Sequence, residues 1–196
     1  KVNPDEVVVA AGSMPNTEGF QQSTPASEIR GFHLPHVYSP WDILGFGKVT
    51  KFNGPAVVYD DTGTFEAISI SDILLKKGLK VTMVGRGDSI GARLPFPPVT
   101  AGAARERLYS GNFDFIGGHH LLAIEESRVE IGVMFTERTR EIDAYMVVFV
   151  GHNSPNRELW VSLKGNGPEI HMIGDVRGHN SIMSAIHAGN SLGRSI

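Results

Sequence analysis

Residues 57–86 read VVYDDTGTFEAISISDILLKKGLKVTMVGR, and this stretch decides the fold. An apolar strand over 56–59 runs into a turn. A helix is predicted over about 65–77, ended at Gly78, and a second strand over 80–84. This is the order of a dinucleotide-binding strand–turn–helix–strand unit, in which a pyrophosphate rests on the helix N-terminus. Such a turn reads GxGxxG, so that the backbone can approach the phosphates. Here it reads Asp60-Asp61-Thr62-Gly63-Thr64. Two carboxylates stand where a dianion would have to sit, and most of the glycines are missing.

The flanking segments fit the same α/β pattern. Residues 6–11 (EVVVAA) form a near-continuous apolar run, which predicts a parallel strand buried on both faces. It ends in a sharp turn at 12–16 (GSMPN), and 16–36 read as loop. Ser39 and Pro40 mark a helix start that Gly45 and Gly47 end. Residues 94–98 (LPFPP) are expected to be irregular. A helix over 101–110 precedes strands over 113–116, 120–124, 129–135 and 141–144, the last three as a meander. Residues 145–150 (YMVVFV) predict another buried strand. A short helix over 156–163, a loop at 165–167, a strand over 170–173 ending in Gly174-Asp175, and a helix over 181–192 complete the chain. In that last helix Ile182, Ala185, Ile186 and Gly189 share one face.

The bulk composition removes several functions. The chain has 196 residues, 41% hydrophobic and 20% charged, with a net charge of −3. That length suits one core or two small lobes. The charge gives no basis for binding nucleic acid or an anionic membrane. No apolar run approaches the ~20 residues that span a bilayer. Lys1-Val2-Asn3-Pro4-Asp5 is polar and reads as no secretory signal. A cytoplasmic location is expected from the lack of cysteine. The absence of cysteine excludes disulfides, thiolate metal sites, cysteine nucleophiles and an iron–sulfur cluster ligated by this segment.

Three signatures occur in one order: a strand ending in Ala11-Gly12-Ser13-Met14-Pro15, the unit at 56–86, and a strand ending in Gly174-Asp175 before a helix. This order resembles the two-dinucleotide-domain flavoproteins of the glutathione reductase type. SPWDIL at 39–44, VVYDDTGTFEA at 57–67 and GHNSPNRELW at 151–160 resemble one branch of them. That branch is the C-terminal region of trimethylamine-dehydrogenase-like proteins, related to 2,4-dienoyl-CoA reductase and the old yellow enzymes, NADH:flavin oxidoreductases among them. The resemblance implies an α/β fold in which a Rossmann-like NAD(P)-binding-like lobe (51–150) is inserted into a partial FAD- or ADP-binding-like lobe (1–50 and 151–196). It implies a parent oxidoreductase with FMN, a 4Fe-4S cluster, FAD or ADP, and NAD(P)H as a further ligand. It also implies that the partner of this region is the FMN barrel of the same chain, in a homo-oligomer. The first glycine-rich turn of the FAD domain, the barrel and the cluster cysteines are not in these 196 residues. The segment is therefore expected to lack catalysis of its own.

The resemblance and the residues together name the candidate ligands. Gly12 is either a point of close approach for a dinucleotide or a plain crossing turn. Asp175, after Gly174, either bonds a ribityl-type hydroxyl, as in the resembled family, or caps the next helix. Gly63 and Arg86 are the candidates for NAD(P)H, with Arg86 placed for a 2′-phosphate. Against this, Asp60 and Asp61 repel a pyrophosphate. The alternative has Asp61 or Thr62 capping the helix and Arg86 paired with a nearby acid. Residues 87–91 match GxSxG, but the prolines at 95, 97 and 98 leave no room for the helix a nucleophile elbow needs. His119, His120, His171, His179 and His187 lack HxxxH or HExxH spacing and read as solvated or core-edge. His152 and Asn153 read as residues at the junction of the lobes, and Trp41 and Trp160 as packing anchors.

Overall fold

The computed structural model describes residues 4–196 except 48, 50, 166, 179 and 180; His179 thus lies outside the described residues. Two compact units result: residues 1–15 with 152–196, and residues 16–151. The elements begin with β1 (Glu6–Val9), β2 (Ser13–Met14), β3 (Val37–Tyr38), α1 (Pro40–Ile43), β4 (Ala56–Asp60), α2 (Phe65–Lys76) and β5 (Val81–Gly85). There follow α3 (Pro97–Thr100), α4 (Gly102–Tyr109), β6 (Phe113–Ile116), β7 (His119–Ile124), β8 (Arg128–Val133), β9 (Thr139–Asp143) and β10 (Met146–Val150). The last elements are β11 (Ser154–Pro155), α5 (Glu158–Leu163), β12 (Glu169–Met172), a 3-10 turn at Gly174–Val176, and α6 (Ile182–Gly193).

The second unit is built on a five-stranded parallel sheet in the order β3-β10-β4-β5-β6. Every residue of β4, β5 and β10 is buried, as a sheet covered on both faces requires. Side chains alternate between two cores. Ala56, Val58, Val81, Met83, Met146 and Val148 face Ile70 and Leu74 of α2 and Leu108 of α4. Val57, Tyr59, Val147 and Phe149 face Leu121 and Ile131 of the meander β7-β8-β9.

Helix α2 forms because Ala67, Ile68, Ile70, Ser71 and Leu74 fall on one buried stripe. It stops at Gly78, whose φ is +82°. The Gly78 N–H donates to Leu75 O at 2.9 Å and the Leu79 N–H to Leu74 O at 3.2 Å, the two bonds of a Schellman ending. Helix α1 opens on a capping box in which Ser39 and Asp42 satisfy each other's backbone donors.

The second compact unit takes in residues 16–50 as well as 51–151. Several expectations need correction. Val37 and Tyr38 pair in parallel with Val147 and Val148. Ile29 and Phe32 are buried against Val57, Tyr59 and Phe149, so the loop-like 16–36 segment belongs to this core. Strand β1 is parallel as expected, but only Val9 is fully buried in it; Val8 is 42% exposed. Its sheet is two-stranded, β1 with β12, among the described residues. The turn at 12–16 includes a two-residue ladder, Ser13 and Met14 against Pro155 and Ser154. A short helix, α3, starts at Pro97 inside the stretch expected to be irregular, since proline is compatible with a first helical turn. The apolar face of α6 is exposed at Ile182 and Ile186 rather than packed. The Trp160 ring lies under the Lys164 ammonium at 4.8 Å instead of in a core. No helix of the described residues is long and apolar enough to cross a membrane.

Candidate functional site

The five candidate ligands gather in two places, one per unit. In the second unit the C-terminal ends of β4, β5 and β6 open into a cleft of about 660 Å³, the position where open parallel sheets bind ligands. Asp60, Asp61, Thr62 and Gly63 form one wall. Arg86, Arg93, His119 and Phe135 also line it.

The two carboxylates of the turn do different things. Asp60 is turned inward on its own turn. Its Oδ1 accepts the Gly63 N–H at 2.7 Å, the Thr62 N–H at 3.1 Å and the Thr62 hydroxyl at 3.0 Å. Burial raises its pKa above the ordinary carboxylate value, while these donors pull it back. Asp61 faces the other way. Its Oδ2 accepts the Gln22 N–H at 2.8 Å, and its Oδ1 lies 3.5 Å from both the Tyr59 hydroxyl and Arg86 Nε. Arg86 also donates to the Gln22 side-chain oxygen. Burial first, and Asp61 second, push the Tyr59 phenol well above its usual pKa.

Arg86 is therefore paired with a nearby acid, the plainer of its two expected roles. Neither Asp61 nor Thr62 supplies the expected helix cap: the N-cap position of α2 is Thr64, which makes no side-chain capping bond. Gly63 serves the loop that follows β5. Its carbonyl accepts the Arg93 N–H at 2.9 Å, and a Cβ on Gly63 would press on the Arg93 side chain at 3.1 Å. The GxSxG match at 87–91 sits in bends and turns with no helix at Ser89.

In the first unit, Gly12, Gly174 and Asp175 line a smaller cleft of about 330 Å³ with Ala10, Ser181 and Ala185. A Cβ placed on Gly12 would meet nothing within 4 Å, so its Cα faces open space. Asp175 Oδ2 accepts the Ser13 hydroxyl at 3.4 Å. Helix α6 is capped by Ser181, whose hydroxyl accepts the Ser184 N–H, so the expected capping by Asp175 is supplied by another residue.

Sequence reading missed Arg93, Phe135 and Ser13. The first two reach the cleft through loops whose path no local pattern encodes. Ser13 was hidden in a segment read as a turn. The role of Asp60 was partly visible: Asp-x-Thr-Gly is the composition of a turn closed by an aspartate side chain.

No protein-family profile and no curated protein matches the chain. Solved structures do. The 6-hydroxypseudooxynicotine amine oxidase of Pseudomonas geniculata N1 superposes with a TM-score of 0.86 at 26% identity, over 97% of this chain and 29% of its own. Histamine dehydrogenase from Rhizobium sp. 4-9 gives 0.85 at 21%, over 98% and 30%. A 2-naphthoyl-CoA reductase gives 0.78 at 24%, over 98% and 27%. The chain thus spans less than a third of the length of these proteins. Over nearly all of its own length it carries the fold of the FAD/NAD(P)-binding-like region of trimethylamine-dehydrogenase-like, old-yellow-enzyme-related oxidoreductases.

Proposed function

We propose that these 196 residues are the nucleotide-binding-like segment of a flavin-dependent oxidoreductase of the amine-dehydrogenase or enone-reductase type. The redox chemistry belongs to an FMN barrel and a 4Fe-4S cluster elsewhere in the polypeptide, and that barrel is the segment's main partner in a homo-oligomer. The observation that carries the reading is the convergence of Gly12, Gly174 and Asp175 on one cleft of the first unit. The residues fit the adenine-dinucleotide moiety that the fold implies. The bare Cα of Gly12 leaves room for a ligand to approach the backbone. The Asp175 carboxylate lines the cleft beside Gly12 and accepts the Ser13 hydroxyl at 3.4 Å; a carboxylate has the acceptor capacity for a ribose or ribityl hydroxyl as well. FAD bound there supplies electron transfer, and ADP only a structural anchor. Calorimetry on the 196-residue chain tests this. ADP or FAD binding that is lost in Gly12→Val and in Asp175→Ala supports it. Absence of any adenine-nucleotide binding, with no barrel encoded upstream, overturns it.

A second reading concerns the second unit alone. There the fit to NAD(P)H is poor, because the turn amides of Thr62 and Gly63 already have an acceptor. This favours a structural role for that unit in assembly of the parent protein.

A further inference from the structure

A dinucleotide-type turn binds pyrophosphate by offering backbone N–H groups at the strand end to the phosphate oxygens. In this chain the matching turn lies at the ends of the central strands and lines the 660 Å³ cleft. Two of its N–H groups, Thr62 and Gly63, point at one oxygen atom, Asp60 Oδ1, at 3.1 and 2.7 Å. The Thr62 hydroxyl joins them at 3.0 Å. Asp60 is 4% exposed, so this arrangement is inside the fold and not a solvated surface contact. Three donors converging on one oxygen is the coordination that a phosphate oxygen receives in a working turn. Asp61 does not share in it, because its carboxylate is held by Gln22 and faces Tyr59 and Arg86. The first turn of α2 carries Phe65 and Glu66 instead of small neutral residues.

We propose that the Asp60 carboxylate is an internal ligand of this turn, standing in for a phosphate, so that the second unit excludes dinucleotides by intramolecular coordination and a single substitution at Asp60 opens the turn to phosphate. Exclusion by occupied donors differs from exclusion by charge repulsion. Repulsion from two acids would persist in part when either is removed, and would weaken with salt. Occupied amides are released only by removing the acceptor at 60. Neutralising Asp61 leaves them bound. The inference is independent of the nucleotide assignment in the first unit, because it concerns donors that belong to the second.

The test uses the whole 196-residue chain with inorganic pyrophosphate and NADPH as probes, read by calorimetry and by the backbone amide resonances of Thr62 and Gly63. In the unsubstituted protein both probes are expected to leave these two resonances in place. Asp60→Ala is expected to bind pyrophosphate at least about tenfold more tightly than the unsubstituted protein, with both amides shifting. Asp60→Asn keeps an oxygen acceptor for both amides and is expected to gain nothing, as is Asp61→Asn. A folded Asp60→Ala that binds no better overturns the proposal. So does a shift of the Thr62 and Gly63 amides when NADPH is added to the unsubstituted protein. If Asp60→Ala does not fold, the unsubstituted protein decides alone: slow exchange of both amides with no response to either probe supports the internal ligand.

Discussion

Arg86 Nε lies 3.5 Å from the Asp61 carboxylate, with the acid 2% exposed and the arginine side chain 30% exposed. The pair couples the loop after β5 to the turn after β4. Gln22 joins it by donating its N–H to Asp61 and accepting from Arg86. The arginine that lines the cleft is thus also tied into the protein. Arg86→Ala takes the cation away from a buried acid and is expected to destabilise the fold by about 1–3 kcal/mol. Urea unfolding of Arg86→Ala, Asp61→Asn and the double variant measures the coupling. Additive effects would show that the pair contributes nothing.

Asp60 makes stability depend on pH with a definite sign. Its pKa in the fold is raised above the ordinary value, first by burial. The unfolded chain thus gives up this proton at lower pH than the folded one. The group's favourable contribution is complete below the ordinary carboxylate pKa and is lost as pH rises through the raised folded value. Asp60→Asn keeps the acceptor and removes the titration. Relative to the unsubstituted protein, the variant should therefore gain stability as pH increases from about 4 to 7. Urea midpoints across that range check it, and a flat or falling difference would contradict the assignment.

Gly78 separates backbone strain from packing. Its φ is +82° and an added Cβ meets nothing within 4 Å. Gly78→Ala should cost about 1–2 kcal/mol from the left-handed backbone alone. Leu74, one turn earlier and fully buried, should cost about 2–5 kcal/mol as Leu74→Ala. Thermal and urea unfolding of both variants test this ordering.

Phe135 is the converse case. It holds φ +62° in the turn between β8 and β9 and is 99% exposed as a residue, so no burial offsets the strain. Phe135→Asn, which tolerates that backbone, should raise stability by about 0.5–1 kcal/mol. A loss of stability would mean that the exposed ring has a packing role.

The sequence was most readable where local pattern and burial agree. The apolar runs in β4 and β10 and the stripe on α2 stated both element and environment. Chain order then located the candidate ligands, and Gly12, Gly174 and Asp175 do meet in one cleft. What could not be read was direction. Asp60 and Asp61 are neighbours in sequence and point to opposite partners, because alternation along a strand end sends adjacent side chains to different sides. The 16–36 segment was equally opaque. It has no period, yet Phe32 packs edge-on against Phe149 with ring centroids 5.1 Å apart, a contact set by tertiary structure alone.

The two units differ sharply in how much they bury. Val9 and Val176 are the fully buried apolar residues of the first unit among those described, whereas β4, β5 and β10 are sealed throughout. Amide hydrogen exchange should follow that contrast. Protection should concentrate in the central strands of the second unit, with β1 and α6 opening and exchanging far sooner. The polypeptide is in this sense a slow-exchanging body joined in sequence to a labile one, and protease susceptibility should be graded in the same order.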